Sequence, residues 1–307
     1  MTQVLSLDDL SLQNSWLAIG VFDGVHLGHQ KMLQQLRQGA QQESAHSIVL
    51  TFEPHPAEVL GNQVDFKWLS PPDERTESLN VRGIDQIILQ HFDREFASIR
   101  ALDFMEKLSQ KLGLRALLVG YDFALGRNRE GDLEMLAEMG KKLGYRLQVI
   151  APVSDRYGVI SSTRLRKNVR EGDMVRAAAG LGRFYPVEGL VIHGDGRGRT
   201  IQIPTANLEI PTSKLIPANG VYACWSWIAG KRHPAVTNIG TRPTFTSGEQ
   251  VPHMETHLLD FNEEIYGEKM RLEFVDRLRN EQRFPSVEAL VGQIQADIQQ
   301  ARILLSA

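Results

Sequence analysis

The chain has 307 residues, 42% of them hydrophobic, which is enough to fill the cores of about two ordinary domains. A formal net charge of −3 supplies no global positive field, so neither nucleic acid nor an anionic membrane is expected as a partner. The lone Cys224 excludes an internal disulfide and speaks against a structural zinc site. The opening segment carries Asp8 and Asp9 and has no basic stretch before an apolar core; a cytoplasmic protein is therefore expected.

In the first half, short apolar runs alternate with amphipathic ones. Residues Trp16–Phe22, Ser47–Phe52, Gln86–Leu89, Ala116–Gly120 and Tyr145–Ile150 are predicted strands; Gly28–Arg37 and Asp132–Leu143 are predicted helices. This alternation predicts a Rossmann-like, doubly wound parallel sheet of the α/β class, with ligands at the carboxyl ends of the strands. Leu165–Val169 and Met174–Leu181 form a helical connector, and Gly182 marks a boundary between domains at 1–182 and 183–307.

From Tyr185 onward the pattern is β-like. Val187–His193, Val221–Ile228, Ala235–Ile239, His253–Phe261 and Met270–Val275 are separated by Gly, Pro and Asn, as in a small antiparallel barrel. A closing helix starts at Ser286, with Val287, Leu290, Val291, Ile294, Ile298, Ala301 and Leu305 on one apolar stripe.

The segment Gly20-Val21-Phe22-Asp23-Gly24-Val25-His26-Leu27-Gly28-His29 joins the first of these strands to the first helix. It places two imidazoles three residues apart at a helix N-terminus, where free amides and the helix dipole favour phosphate and Gly24 and Gly28 permit close approach. His26 and His29 are therefore candidates to stabilise a leaving pyrophosphate, with Gly20, Phe22, Asp23, Gly24 and Gly28 around the phosphates. No Walker A pattern is present. Further along, Ser161, Ser162 and Thr163 supply hydroxyls and amides at another helix start, followed by the guanidinium groups of Arg164 and Arg166.

H-x-G-H, Thr51-Phe52-Glu53-Pro54-His55-Pro56, Val119-Gly120-Tyr121-Asp122-Phe123 with Gly126 and Arg129, and Ile160–Arg166 occur in this order. Together they resemble the HxGH nucleotidyltransferases, specifically the adenylyltransferase part of bacterial FAD synthetases. The resemblance implies triphosphate contacts from Ser161–Arg166 and flavin contacts from Pro54, His55 and Phe123, with Asp122 on either nucleotide or flavin. Leu125 departs from the aromatic residue common in that family.

In the second half, His193-Gly194-Asp195-Gly196-Arg197-Gly198-Arg199 is a Gly-rich basic loop, a candidate phosphate site through Gly194, Gly196, Arg197, Gly198 and Arg199. The run Pro204-Thr205-Ala206-Asn207 sets a hydroxyl and an amide oxygen two residues apart, donors suited to Mg²⁺. Glu255, at the start of Glu255-Thr256-His257-Leu258-Leu259-Asp260-Phe261, is a candidate general base for phosphoryl transfer to an alcohol.

These motifs, with Gly220-Val221-Tyr222-Ala223 and Asn238-Ile239-Gly240-Thr241-Arg242-Pro243-Thr244, resemble the riboflavin kinase domain, a small Greek-key barrel. The resemblance also brings Arg277, Arg279 and Phe284 toward nucleotide and flavin. Gln202 departs from a glycine common in relatives. From about Gly20 to about Arg302 the resemblance is to bifunctional riboflavin kinase/FAD synthetases, whose substrates and products are riboflavin, FMN, FAD, ATP, ADP and pyrophosphate. Three rivals are a kinase with a degenerate N-terminal domain, a flavin-sensing regulator and an aminoacyl-tRNA synthetase fragment. Intact His26, His29 and Arg166 count against the first, and Glu255 with P-T-A-N against the second. The net charge counts against the third.

Overall fold

A computed structural model describes residues 3–61, 66–194, 201, 203–243 and 250–306. The chain divides into two compact units, Met1–Ser162 and Thr163–Ala307.

The first unit is built on six parallel strands: β1 (Gln3–Leu5), β2 (Ser15–Ile19), β3 (His46–Glu53), β4 (Gln86–His91), β5 (Leu114–Gly120) and β6 (Arg146–Ile150), in the order β1-β4-β3-β2-β5-β6. The strands read as unbroken apolar runs because both faces are covered. Successive residues serve opposite cores. Leu17, Ile19, Leu117 and Val119 face one core, with α4 (Ala101–Leu112) and α5 (Leu133–Leu143). Trp16, Ala18, Ala116 and Leu118 face the other, with α1 (Leu27–Gln42) and α3 (Pro72–Asn80). The short α2 (Pro56–Leu60) follows β3. Chain direction across the sheet reverses at β2, so the ligand crevice of such a sheet falls at the carboxyl end of β2.

The expected strands are present, with shifted ends. β2 stops at Ile19 because the chain leaves the extended region, reaching φ +55° at Phe22. Helix α1 runs past Arg37 to Gln42 through Gly39, which does not break it. A Cβ on Gly39 would stand 1.8 Å from the Trp16 ring, so the glycine makes room for the indole. Helix α4 is not among the predicted elements, although its buried Ala101, Phe104, Met105, Leu108 and Leu112 keep helical spacing and Gly113 closes it at φ +55°.

In the second unit α6 (Ser162–Glu171), whose first residue belongs to the first unit, and α7 (Met174–Leu181) lead into a closed antiparallel barrel. Its strands are β9 (Tyr185–Ile192), β10 (Ala206–Glu209), β11 (Gly220–Ile228), β12 (Lys231–Pro243), β13 (Gln250–Leu258) and β14 (Lys269–Arg279), ordered β10-β13-β12-β11-β14-β9 and closed by β9 on β10. A two-stranded hairpin, β7 (Ser154–Asp155) with β8 (Gly158–Val159), precedes α6 in the first unit.

Helix α8 (Val287–Leu305) is capped by Ser286, whose Oγ accepts from the Ala289 amide at 3.3 Å, as the sequence predicts. Its stripe divides. Ile298, Ala301 and Leu305 are buried against Val221, Ala223 and Val236, while Val287, Leu290 and Ile294 line a cavity, leaving Val287 57% exposed.

Candidate active sites

In the first unit the chain leaves β2 through a tight loop. Phe22, Gly24 and Val25 all have positive φ, at +55°, +79° and +40°. For a β-branched valine that is a strained conformation, held by its surroundings and of the kind that clusters at functional sites. Asp23 is buried, and its carboxylate accepts from the backbone amides of Leu69 (3.1 Å) and Ser70 (2.9 Å). Ser70 Oγ in turn accepts from the Gly24 amide at 2.7 Å. Asp23, expected near phosphate, thus ties the loop to residues 69–70. The Oγ of Ser162, the last residue of the first unit, donates to the Asp23 carbonyl at 2.9 Å.

His26 caps α1, its Nδ1 accepting from the His29 amide at 3.3 Å. That bond puts the proton of the neutral ring on Nε2. The two imidazoles stack with centroids 3.6 Å apart, and the Phe22 ring stands 5.1 Å from His29. Gly28 permits this, since a Cβ there would lie 3.0 Å from the His26 ring. Burial holds the His29 pKa well below the usual imidazole range, and His26 lowers it further, so the ring is neutral near pH 7. Among the described residues, buried His29 Nδ1 has no hydrogen-bond partner. Gly20 leads into the loop, where a Cβ would be 3.2 Å from the Phe22 ring.

The second expected segment ends β3. Pro54 follows a cis peptide, and His55 Nδ1 accepts from the Ala57 amide at 2.9 Å, capping α2. The His55 ring lies 4.2 Å from Phe66 and 4.9 Å from Trp68. Sequence reasoning missed what stands behind this group. Arg75 is fully buried, 4.5 Å over the Trp68 ring, and donates to the Phe52 carbonyl at 3.1 Å. Burial pushes its pKa down to about 10, opposed by Asp23 and Glu53, so it stays charged. The D-E-R run at the start of a largely polar helix reads as a solvated face, which is why the pattern does not reveal it.

Asp122 is exposed and its carbonyl accepts from Arg129 at 3.0 Å; Phe123 and Leu125 pack on the core of the first unit. Ser161 immediately precedes α6, Thr163 is exposed, and Arg164 and Arg166 are half-buried on that helix.

In the barrel, register places Asn207, Glu255 and Asn238 in one row across β10, β13 and β12. A cavity of about 570 Å³ has an apolar wall that includes Ile203, Val221, Val236, Phe284 and Leu290, and it also exposes Thr205, Glu255 and Arg279. A second, of about 430 Å³, is lined by Val191, Pro204, Thr205, Phe261 and Tyr266 among others. Thr205 belongs to both walls.

Asn207 is buried, and among the described residues its Oδ1 has no hydrogen-bond partner. Gly194 lies against it. The remaining candidates of that loop, Gly196, Arg197, Gly198 and Arg199, lie outside the described residues, as does Gln202.

Arg277 and Arg279 are separated by a bulge. Arg279 pairs with Val221 and Arg277 with Tyr222, neighbours that point to opposite faces. Arg279 reaches the cavity, held by Asp297 through Nε (3.0 Å) and Nη2 (2.8 Å), with its guanidinium 5.6 Å from the centre of the Phe284 ring. Arg277 turns to the Asn219 carbonyl and lies 5.9 Å from the Tyr222 ring centre.

Two family models match, one described as FAD synthetase over residues 9–164 and one as riboflavin kinase over residues 181–305. A bifunctional riboflavin kinase/FMN adenylyltransferase of Listeria monocytogenes is 34% identical over 299 residues, 97% of this chain and 95% of the relative. One of Escherichia coli (strain K12) is 36% identical over 288 residues, 93% and 91% of the two chains. A crystal structure titled a macrolide-efflux protein from Streptococcus pneumoniae superposes with a TM-score of 0.90 at 31% identity, covering 98% of each chain. Among the described residues no helix is long and apolar enough to cross a membrane. With both family models matched and such identity across more than nine-tenths of its length, this chain belongs to the bifunctional riboflavin kinase/FMN adenylyltransferase family.

Proposed function

We propose that the chain makes FAD from riboflavin in two steps, phosphorylating riboflavin to FMN in the barrel and adenylylating FMN to FAD in the N-terminal unit. The functional boundary is drawn at 1–182 and 183–307. The observation that carries the kinase reading is the pair of cavities meeting at Thr205, with Glu255 on the wall of the larger, more apolar one. The apolar cavity suits an isoalloxazine and its neighbour a nucleotide, so the ribityl 5′-hydroxyl and the γ-phosphate of ATP meet near Thr205.

Glu255 takes the hydroxyl proton as the ribityl oxygen bonds to the γ-phosphorus and the β,γ-bridging oxygen leaves with ADP. Mg²⁺ fits the donors present. Thr205 offers a hydroxyl, and Asn207 offers a buried amide oxygen with no partner among the described residues. Its other ligands would be water and phosphate oxygens, as is usual for this ion. Bound there, the ion would neutralise charge on the transferring phosphoryl group. Gly194, Gly196, Arg197, Gly198 and Arg199 are assigned to the nucleotide phosphates and Arg279 to the flavin; Arg277 is the weaker flavin candidate.

In the N-terminal functional domain, 1–182, an FMN phosphate oxygen attacks the α-phosphorus of ATP and pyrophosphate leaves. The free amides of α1, with His26 and neutral His29 as hydrogen-bond donors, stabilise the departing charge. Gly20, Phe22, Gly24 and Gly28 shape the loop and Asp23 anchors it; Ser161, Ser162, Thr163, Arg164 and Arg166 are the further triphosphate candidates. Pro54, His55, Asp122 and Phe123 are assigned to the flavin. We place the protein in the cytoplasm, where its single buried thiol, with a pKa pushed up to about 12, stays reduced and unreactive.

Incubating the purified chain with riboflavin, ATP and Mg²⁺ tests this: FMN should appear first and FAD after it. FMN alone would leave only the kinase, and unchanged riboflavin would refute the reading. Glu255→Gln should stop FMN formation while FAD formation from supplied FMN persists.

A further inference from the structure

Alternation along β13 puts His253, Glu255 and His257 on one face of the strand. His257 Nδ1 is 2.8 Å from the Pro204 carbonyl, fixing the approach to Thr205. His253 Nε2 is 2.8 Å from Glu255 Oε1, and the two side chains are only 26% and 28% exposed.

We propose that His253 is a positioning residue for Glu255 in phosphoryl transfer, an inference that rests on Glu255 being the base. A carboxylate that acts as a base must be ionised, and it then only accepts, so His253 Nε2 carries the proton and donates. The terminal torsion of a glutamate is broad, and an unrestrained carboxylate samples many orientations. A donor on Oε1 is one restraint on the plane of the group and hence on the direction of Oε2. Because the donor is two residues away on the same strand, β-sheet geometry fixes both ends of the bond. The bond persists when Glu255 takes the substrate proton on Oε2, so His253 itself need not exchange a proton.

The test uses the full chain. His253→Ala should lower kcat for FMN formation by roughly ten- to hundredfold, the loss typical of a hydrogen bond to a charged group. Its riboflavin KM, its riboflavin Kd from flavin fluorescence quenching and its rate of FAD formation from FMN should stay unchanged. His253→Gln, whose amide nitrogen can donate to the same oxygen, should recover much of the rate. Wild-type kcat in His253→Ala, or a joint loss of binding and turnover that His253→Gln does not recover, would overturn the proposal. Glu255→Gln assayed in parallel separates the two ideas: if it turns over normally the base assignment fails, and if it is inactive while His253→Ala is fully active only the positioning role fails.

Discussion

Gly194 lies against the side-chain amide of Asn207 so closely that a Cβ at position 194 would stand 1.9 Å from Asn207 Nδ2. The backbone two residues past β9 and the start of strand β10 therefore share one space, which only a glycine leaves open. Gly194→Ala must displace the Asn207 amide or the loop itself. Riboflavin phosphorylation should fall at least tenfold and need more Mg²⁺ for half-maximal rate, on the scale of disturbing a metal ligand's support. FAD formation from FMN should be unaffected; an unchanged Mg²⁺ requirement would separate Asn207 from the metal.

Ser70 holds the strained loop of the N-terminal unit from below, accepting from the Gly24 amide and donating its own amide to Asp23. Ser70→Ala removes that acceptor from the Gly24 N–H, the loss of a hydrogen bond worth about 1 kcal/mol. The expected result is slower FAD formation from FMN with normal FMN formation from riboflavin, read by chromatography of the flavins. Equal loss of both activities would point instead to general destabilisation.

His29 is held neutral by burial and by His26, with its pKa below the unfolded value. As pH falls through the unfolded-chain pKa, near 6.5, the unfolded state takes up a proton that the native state refuses, so stability drops on the acid side and is fully present above it. His29→Gln removes that proton. Its denaturation midpoint should therefore fall less than the wild-type midpoint between pH 7.5 and pH 5.5; parallel curves for the two proteins would contradict the assignment. The two pH values bracket the unfolded pKa of about 6.5.

Asp297 is 3% exposed and grips Arg279 with two oxygens beside the flavin-sized cavity. Asp297→Ala leaves the guanidinium largely buried without its counter-charge and should destabilise the barrel by about 3 kcal/mol. Urea denaturation measures this, and the riboflavin KM should rise as Arg279 loses its orientation. A variant of wild-type stability would mean that water replaces Asp297.

Much of this protein is written locally. Apolar runs covered on both faces announce a parallel sheet. The H-x-G-H turn, the P-T-A-N run and the Ser286 cap each depend on neighbours within a few residues, so their residue types betray them. Helix α4 is equally legible in its periodicity; Gly39 is legible as a glycine but not as the space beneath Trp16.

What only the tertiary structure decided are relationships between distant segments. Asp23 reaches Ser70, Arg75 stacks on Trp68 and reaches Phe52, Gly194 makes room for Asn207, and Thr205 faces two cavities. The β14 bulge sends Arg277 and Arg279 to opposite faces, against their even spacing. Such facts arise from strand register and close packing, in which one inserted residue reverses a side chain and one missing Cβ admits another group. Residue type and spacing along a single chain carry the local chemistry; they do not carry register, because register is a property of two segments at once.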